Sequence, residues 1–302
     1  MKIATLYLLA ALPVFAQVKI DDQAAASLIA PDAKVEKLAG NFQFTEGPVW
    51  MPETKTLIFS DIPAAKLMQW TAEKGVSEYR VSENANGNTR DTEGRLVTCQ
   101  HTGRNLVRTE ADGKVTVLVD SHGGKKLNSP NDAVVKSDGT VWFTDPPYGV
   151  PKGQSREQEG NWVYRFDPAT KQTTVVSRDF DMPNGLAFSP DEKRLYIADS
   201  GKGQRVAAFD VKPDGTLSTA VWSAQGGSDG LRVDVKGNIY TTARDGVRIY
   251  NPEGKQLATI AVPEAPANCA FGGADFQTLF ITARTGLYSV KLKVAGNPVG
   301  KK

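Results

Sequence analysis

Histidine and cysteine are nearly missing from this chain of 302 residues, which has two of each. Two cysteines make no disulfide framework, and so few Cys and His at these spacings supply no zinc motif. Charge of one sign is missing as well. The 36 Lys and Arg against 34 Asp and Glu leave a formal charge of +2, or +1 if a leader carrying Lys2 is removed, which excludes nucleic-acid binding driven by bulk charge. No G-x-x-x-x-G-K-[ST] run signals a nucleotide. Hydrophobic residues at 40% and charged residues at 23% exclude disordered and collagen-like classes.

Long apolar runs are confined to the first residues. MKIATLYLLAALPVFAQ has one Lys, an apolar stretch broken by Pro13, and small residues at Val14 and Ala16. That pattern predicts a signal peptide over residues 1–16 and export to a periplasmic or secreted location. The stretch is short for a span, which needs about 20 residues, and nothing after it approaches that length. The mature chain is therefore expected to lie free of the membrane. Residues 17–32 form an extension readable as a short helix or a loop. Cys99 and Cys269 could form a disulfide outside the cytoplasm, but they read more readily as buried small hydrophobes.

Helical periodicity then almost disappears. Short runs of Val, Ile, Thr, Tyr, Phe and Trp alternate with Asp-Gly, Glu-Gly and Lys-Gly turns, the pattern of many antiparallel strands. These runs repeat in six copies, among them TEGPVWMPETKTLIFSD, PNDAVVKSDGTVWFTD and PNGLAFSPDEKRLYIAD. With Ile58, Val97, Trp142, Tyr196, Tyr240 and Phe280 as equivalent positions, the spacings are 39, 45, 54, 44 and 40. A period of about 40–50 with about four strands per unit marks propeller blades. The predicted fold is all-β: a six-bladed β-propeller over residues 33–295, followed by a tail over 296–302. The last copy lacks a fourth strand, and Lys34–Ala39 (KVEKLA) is expected to supply it, closing the ring by pairing the N- and C-terminal strands. The longest interval holds a polar insertion, Gly149–Gly160, expected as a loop over one face. Trp50, Trp142 and Trp162 are expected to pack between blades.

One phase of the repeat carries chemistry. Counting back eleven or twelve residues from each anchor gives Glu46, Asn86, Asn131, Asn184, Asp229 and Asn268. All six are carboxylates or carboxamides, and the first strand of a propeller blade lines the central channel. Converging oxygen donors of this kind suit hard cations such as Ca2+ or Mg2+. Asn and Asp beside Gly or Pro are also common turn residues. Four contexts favour the site reading: Glu46-Gly47-Pro48, Pro130-Asn131-Asp132, Pro183-Asn184-Gly185 and Ser228-Asp229-Gly230.

Together with Asn128-Ser129-Pro130-Asn131-Asp132 and Pro183-Asn184-Gly185-Leu186, these motifs resemble those of the senescence marker protein (regucalcin)/gluconolactonase family over about residues 40–290. The resemblance implies a six-bladed propeller that hydrolyses a sugar lactone with a divalent cation. It implies Glu46, Asn184 and Asp229 as metal ligands, Asn131 as a further ligand or substrate contact, and Asp229 as general acid/base. Ca2+ is the expected ion, with Mg2+, Mn2+ and Zn2+ as alternatives. Animal members carry Arg two residues before the equivalent of Asn131, where this chain has Ser129, so their substrate contacts do not carry over.

Three residues after each anchor lies a second set, Asp61, Gln100, Asp145 and Asp199. An Asp at a strand end also closes the strand by accepting turn amides, and both readings stand at this point. Asp145 and Tyr148, in Asp145-Pro146-Pro147-Tyr148-Gly149, are candidate substrate contacts, and His101 is a candidate for the cavity wall. Gly226-Gly227-Ser228-Asp229-Gly230 fits G-x-S-x-G, but that motif needs a later His, and His101 and His122 both precede it. Rival readings are a calcium-dependent phosphotriesterase or arylesterase, and a non-catalytic ligand-binding propeller. No nucleic-acid partner is expected.

Overall fold

The computed structural model describes residues 17–298; the leader over 1–16 and the last four residues of the tail lie outside the described residues. Six antiparallel sheets surround one axis. Blade 1 spans Thr45–Met51 to Gly75–Val81, blade 2 Ala85–Arg90 to Val115–Val119, blade 3 Ala133–Val135 to Gln172–Ser177, and blade 4 Pro183–Phe188 to Leu217–Gln225. Blade 5 runs from Leu231–Val233 to Gln256–Ile260, and blade 6 from Pro266–Gly272 to Gly286–Lys291. Each is a meander from the axis outwards, as the repeat requires.

The ring closes through Val35–Ala39, which pairs antiparallel with the last strand, Val35 opposite Val290 and Lys37 opposite Tyr288. This removes the open edge that blade 6 would otherwise present. A strand unsuspected from sequence, Val18–Ile20, adds a fifth member to blade 5, with Val18 opposite Ile260. A 3-10 turn over Gln23–Ser27 follows, with the Asp22 carboxylate accepting from the Ala24 amide. The extension is thus part of the core: Leu28 and Ile29 are buried against blades 5 and 6. The tail also holds, since the Asn297 amide donates to the Val233 carbonyl at 2.9 Å.

Blades pack face to face through apolar layers. Trp50 stacks on Phe280 across blades 1 and 6 (5.5 Å, 12°), and Trp142 meets Phe188 edge-on across blades 3 and 4. Trp162 departs from the expected interior packing; half-buried on blade 3, it lies under Arg178 with Tyr164 and His122 beside it. Cys99 and Cys269 lie in different blades, buried and unpaired. Burial pushes the Cys269 thiol up to about 12, so it packs as a small hydrophobe. Among the described residues no helix is long and apolar enough to cross a membrane.

Candidate active site

The axis is lined by the first strand of each blade, and four of these strands open with a register shift: between Glu46 and Val49, Ala85 and Asn88, Pro183 and Leu186, and Pro266 and Asn268. A bulge re-aims a side chain that regular alternation would turn aside. Here it turns the ring residue towards the channel. Backbone bonds tie the ring together. The Gly87 amide donates to the Asn131 carbonyl (2.8 Å), Gly185 to Asp229 (2.9 Å) and Gly230 to Ala267 (2.7 Å). Glycine is required for this approach, because a Cβ on Gly185 would lie 2.7 Å from the Asp229 oxygen, and on Gly87 2.5 Å from the Asn131 oxygen. The glycines read from sequence as turn-permissive therefore also let neighbouring blades touch.

Glu46, Asn86, Asn131, Asn184 and Asn268 are all buried, while Asp229 keeps partial access to the cavity. Their partners differ. Glu46 accepts from its own neighbour Gly47 and, at 2.9 Å, from the Asn268 amide. Asn184 donates to Ser200 at 3.1 Å, and Asn86 meets His101 Nε2 at 3.0 Å. The carbonyl oxygens Oδ1 of both Asn184 and Asn86 are buried with no hydrogen-bond partner. Orphaned acceptors of this kind are rare in folded proteins and mark a place built for a donor or an ion.

The electrostatics agree. Burial, together with the charges of Asp229 and Asp132, pushes the Glu46 carboxyl well above the usual range. Burial raises Asp229 to about 7, against the Asn184 hydrogen bond that lowers it, with Asp132 raising it further. Like charges crowded in a low dielectric are stabilised by a cation. Among the described residues no three His, Cys, Asp or Glu make a ready cage for an ion. The donor set is therefore mixed, carboxylates from Glu46 and Asp229 with amide oxygens, which is the chemistry of a hard divalent cation rather than of zinc. On the orphaned Asn184 oxygen and the crowded carboxylates, the residues present fit such an ion.

Asn268 stands differently from the rest of the ring. Its Nδ2 faces inward to Glu46 and Asp132, and its oxygen accepts from the Cys269 amide, so it presents donors. Asp132, which sequence reasoning passed over, is buried beside the ring and pairs with Arg232 at 3.2 Å. Its signal was available as the second residue of Asn131-Asp132, but the repeat phase picks only one position per blade. Asn88 is a hub of the same layer, donating to the Gly47 carbonyl and to Ser60.

The candidate substrate contacts separate. Tyr148 is 49% exposed, and its phenol contacts Ser200 and Asn184 beside Asp229, with burial raising its pKa. It stands at the rim of the cavity. His101 is buried under the same loop, where a Cβ on Gly149 would meet its ring at 2.1 Å, and burial lowers it to about 4, leaving a neutral imidazole against Asn86. Asp145 is wholly buried, and its two carboxylate oxygens accept from the Asn128 and Ser129 amides at 2.7 and 2.8 Å. With both oxygens turned into the loop it shapes the segment carrying Asn131 instead of facing a ligand. Asp61 does the same for Gln43 and Phe44, and Asp199 for Asp181 and Met182. Ser129 fixes the rim loop by donating to the Pro146 carbonyl and accepting from Gly149. Ser228 of the G-x-S-x-G run donates to the Gly230 carbonyl in a segment leading into a strand, so it is no nucleophile elbow.

A family model described as the SMP-30/Gluconolactonase/LRE-like region matches residues 44–285. A gluconolactonase of Zymomonas mobilis is 31% identical over 295 residues, covering 87% of this chain and 82% of that one. A pentonolactonase of Haloferax volcanii is 28% identical, covering 80% and 81%. Among solved structures, a gluconolactonase of Xanthomonas campestris superposes with a TM-score of 0.85 at 34% identity, covering 92% of this chain and 96% of that one.

Proposed function

Because the chain belongs to the SMP-30/gluconolactonase/LRE-like family, we propose that it hydrolyses a sugar lactone at this polar ring, with a divalent cation bound by Glu46, Asn131, Asn184 and Asp229. The observation that carries the reading is the meeting of Glu46 and Asp229 with the orphaned oxygen of Asn184. The gluconolactonase and pentonolactonase relatives support the substrate class. Ca2+ is the ion best suited to the donors, with Mg2+ and Mn2+ as alternatives.

When bound, such a cation supplies positive charge for the oxygen of an ester carbonyl. Everything else is done by the chain. The ring and the Tyr148 rim hold the lactone with its ester towards Asp229. Asp229 accepts a proton from the attacking water and returns it to the ring oxygen as the C–O bond breaks. One water is added and an open-chain hydroxy acid leaves. Neutral His101 keeps Asn86 oriented without adding charge. The apolar leader supports an exported enzyme.

Hydrolysis of glucono-1,5-lactone by the purified mature protein, after chelation and after return of each cation, tests this reading. Turnover restored by metal supports it and ranks the ions. Calcium uptake without turnover of any aldonolactone overturns the lactonase reading and moves the search to phosphoesters or to ligand binding.

A further inference from the structure

From the ring residues Glu46 and Asn268, a chain of four polar side chains runs on to Asp132 and Arg232. Glu46 accepts from the Asn268 amide at 2.9 Å, the same amide reaches Asp132 at 3.3 Å, and Asp132 takes Arg232 Nη1 at 3.2 Å. The same Nη1 donates to the Leu231 carbonyl at 2.7 Å. Asp132 comes from blade 3 and Arg232 from blade 5, so the link spans the axis. Arg232 follows Asp229 by three residues and is 9% exposed. Three carboxylates, Glu46, Asp132 and Asp229, act on one another across this space. Arg284 also acts on Asp229, but it is exposed at the rim and screened by solvent.

We propose that Arg232 is the fixed counter-charge of the ring: it cancels one of the three carboxylates, leaving an excess of two negative charges that one divalent cation balances. This rests on the metal-dependent reading above and goes beyond it by assigning a positioning residue that touches neither cation nor lactone. Buried ions a few ångströms apart interact far more strongly than exposed ones. Arg232, held by two hydrogen bonds, therefore sets the charge the cation meets. A purely structural pin between blades 3 and 5 would hold the same geometry without that dependence.

Calcium alone is the probe, titrated by calorimetry into the full mature chain, with circular dichroism as the check on folding. Arg232→Met, with three unopposed carboxylates, should bind Ca2+ at least tenfold more tightly than wild type. Asp132→Asn, with only one net charge, should bind it at least tenfold more weakly. Arg232→Lys keeps the charge and should match wild type, as should Asp132→Asn with Arg232→Met, where both charges are gone. If Arg232→Met fails to fold because it leaves Asp132 buried and unpaired, the other three variants carry the test. Affinities that ignore these four charge states, or a double variant as impaired as the worse single one, overturn the counter-charge while leaving the metal site standing. A wild-type chain that binds no divalent cation overturns both.

Discussion

Two rings of acidic and amide side chains encircle the same axis, and they do opposite work. In the strand-start ring, Asn86 and Asn184 leave carbonyl oxygens with no partner, and Glu46 and Asp229 repel one another. In the strand-end ring, Asp61 and Asp145 each accept from two backbone amides and Asp199 from three. Residue type does not separate them. What separates them is whether each acid is met by two or more backbone amides, as in the strand-end ring, or is crowded against other carboxylates and orphaned amide oxygens, as around Glu46 and Asp229. An acid whose oxygens are both taken up by backbone amides is a staple, and one crowded by like charges with oxygens to spare is a site.

The sharpest way to break this comparison is to neutralise one member of each ring. Asp229→Asn should lower lactone turnover by roughly 10²–10⁴-fold with the fold retained by circular dichroism. Full turnover in that variant removes the base. Asp145→Ala should act in the reverse order. It strands two buried amides, costing about 2–4 kcal/mol of stability, read as a lowered denaturant midpoint, and affects turnover only through the displaced Asn131 segment. A variant as stable as wild type would show that the strand-end ring is no staple.

The pH dependence of stability separates the rings more finely. Burial raises both Asp145 and Asp229 to about 7, above their unfolded values near 4. The folded chain then binds more protons than the unfolded one, so each contribution is present below about pH 4 and is lost as pH rises through about 7. In the chelated protein the melting temperature should fall across that window. Saturating cation should abolish the Asp229 share and leave the Asp145 share, which only Asp145→Asn removes. His101 works against both, being neutral in the fold down to about 4: as pH falls from 6.5 towards 4 the unfolded chain gains a proton first and stability is lost. In His101→Gln that acid-side loss should disappear from the melting curve. The smallest expected effect is Tyr148→Phe, which removes a rim hydroxyl and should raise KM about threefold to tenfold with kcat little changed.

Most of the architecture was legible along the chain. Six apolar anchors spaced by about 40–50 residues specify blades because each blade repeats the same apolar inner strands, buried on both faces between neighbouring blades. The closing strand at Val35–Ala39 was legible from a count of strands, since blade 6 was one short. Val18–Ile20 was not legible. Three residues carry too little periodicity, and only the open edge of Gln256–Ile260 makes a strand of them.

The same division runs through the site. Glu46, Asn86, Asn131, Asn184, Asp229 and Asn268 came from phase alone, because equivalent positions of a ring must meet at its axis. Their separate duties did not. That Asn268 turns its donors inward, that Asp145 serves the backbone, and that Asp132 and Arg232 meet across the channel from blades 3 and 5 all depend on which atoms lie within about 3 Å of one another. Local sequence determined which groups reach the axis, through patterns that repeat along the chain. Only the closed ring, by bringing together residues as far apart as Glu46 and Asn268, decided which of those groups find a partner and which are left to bind.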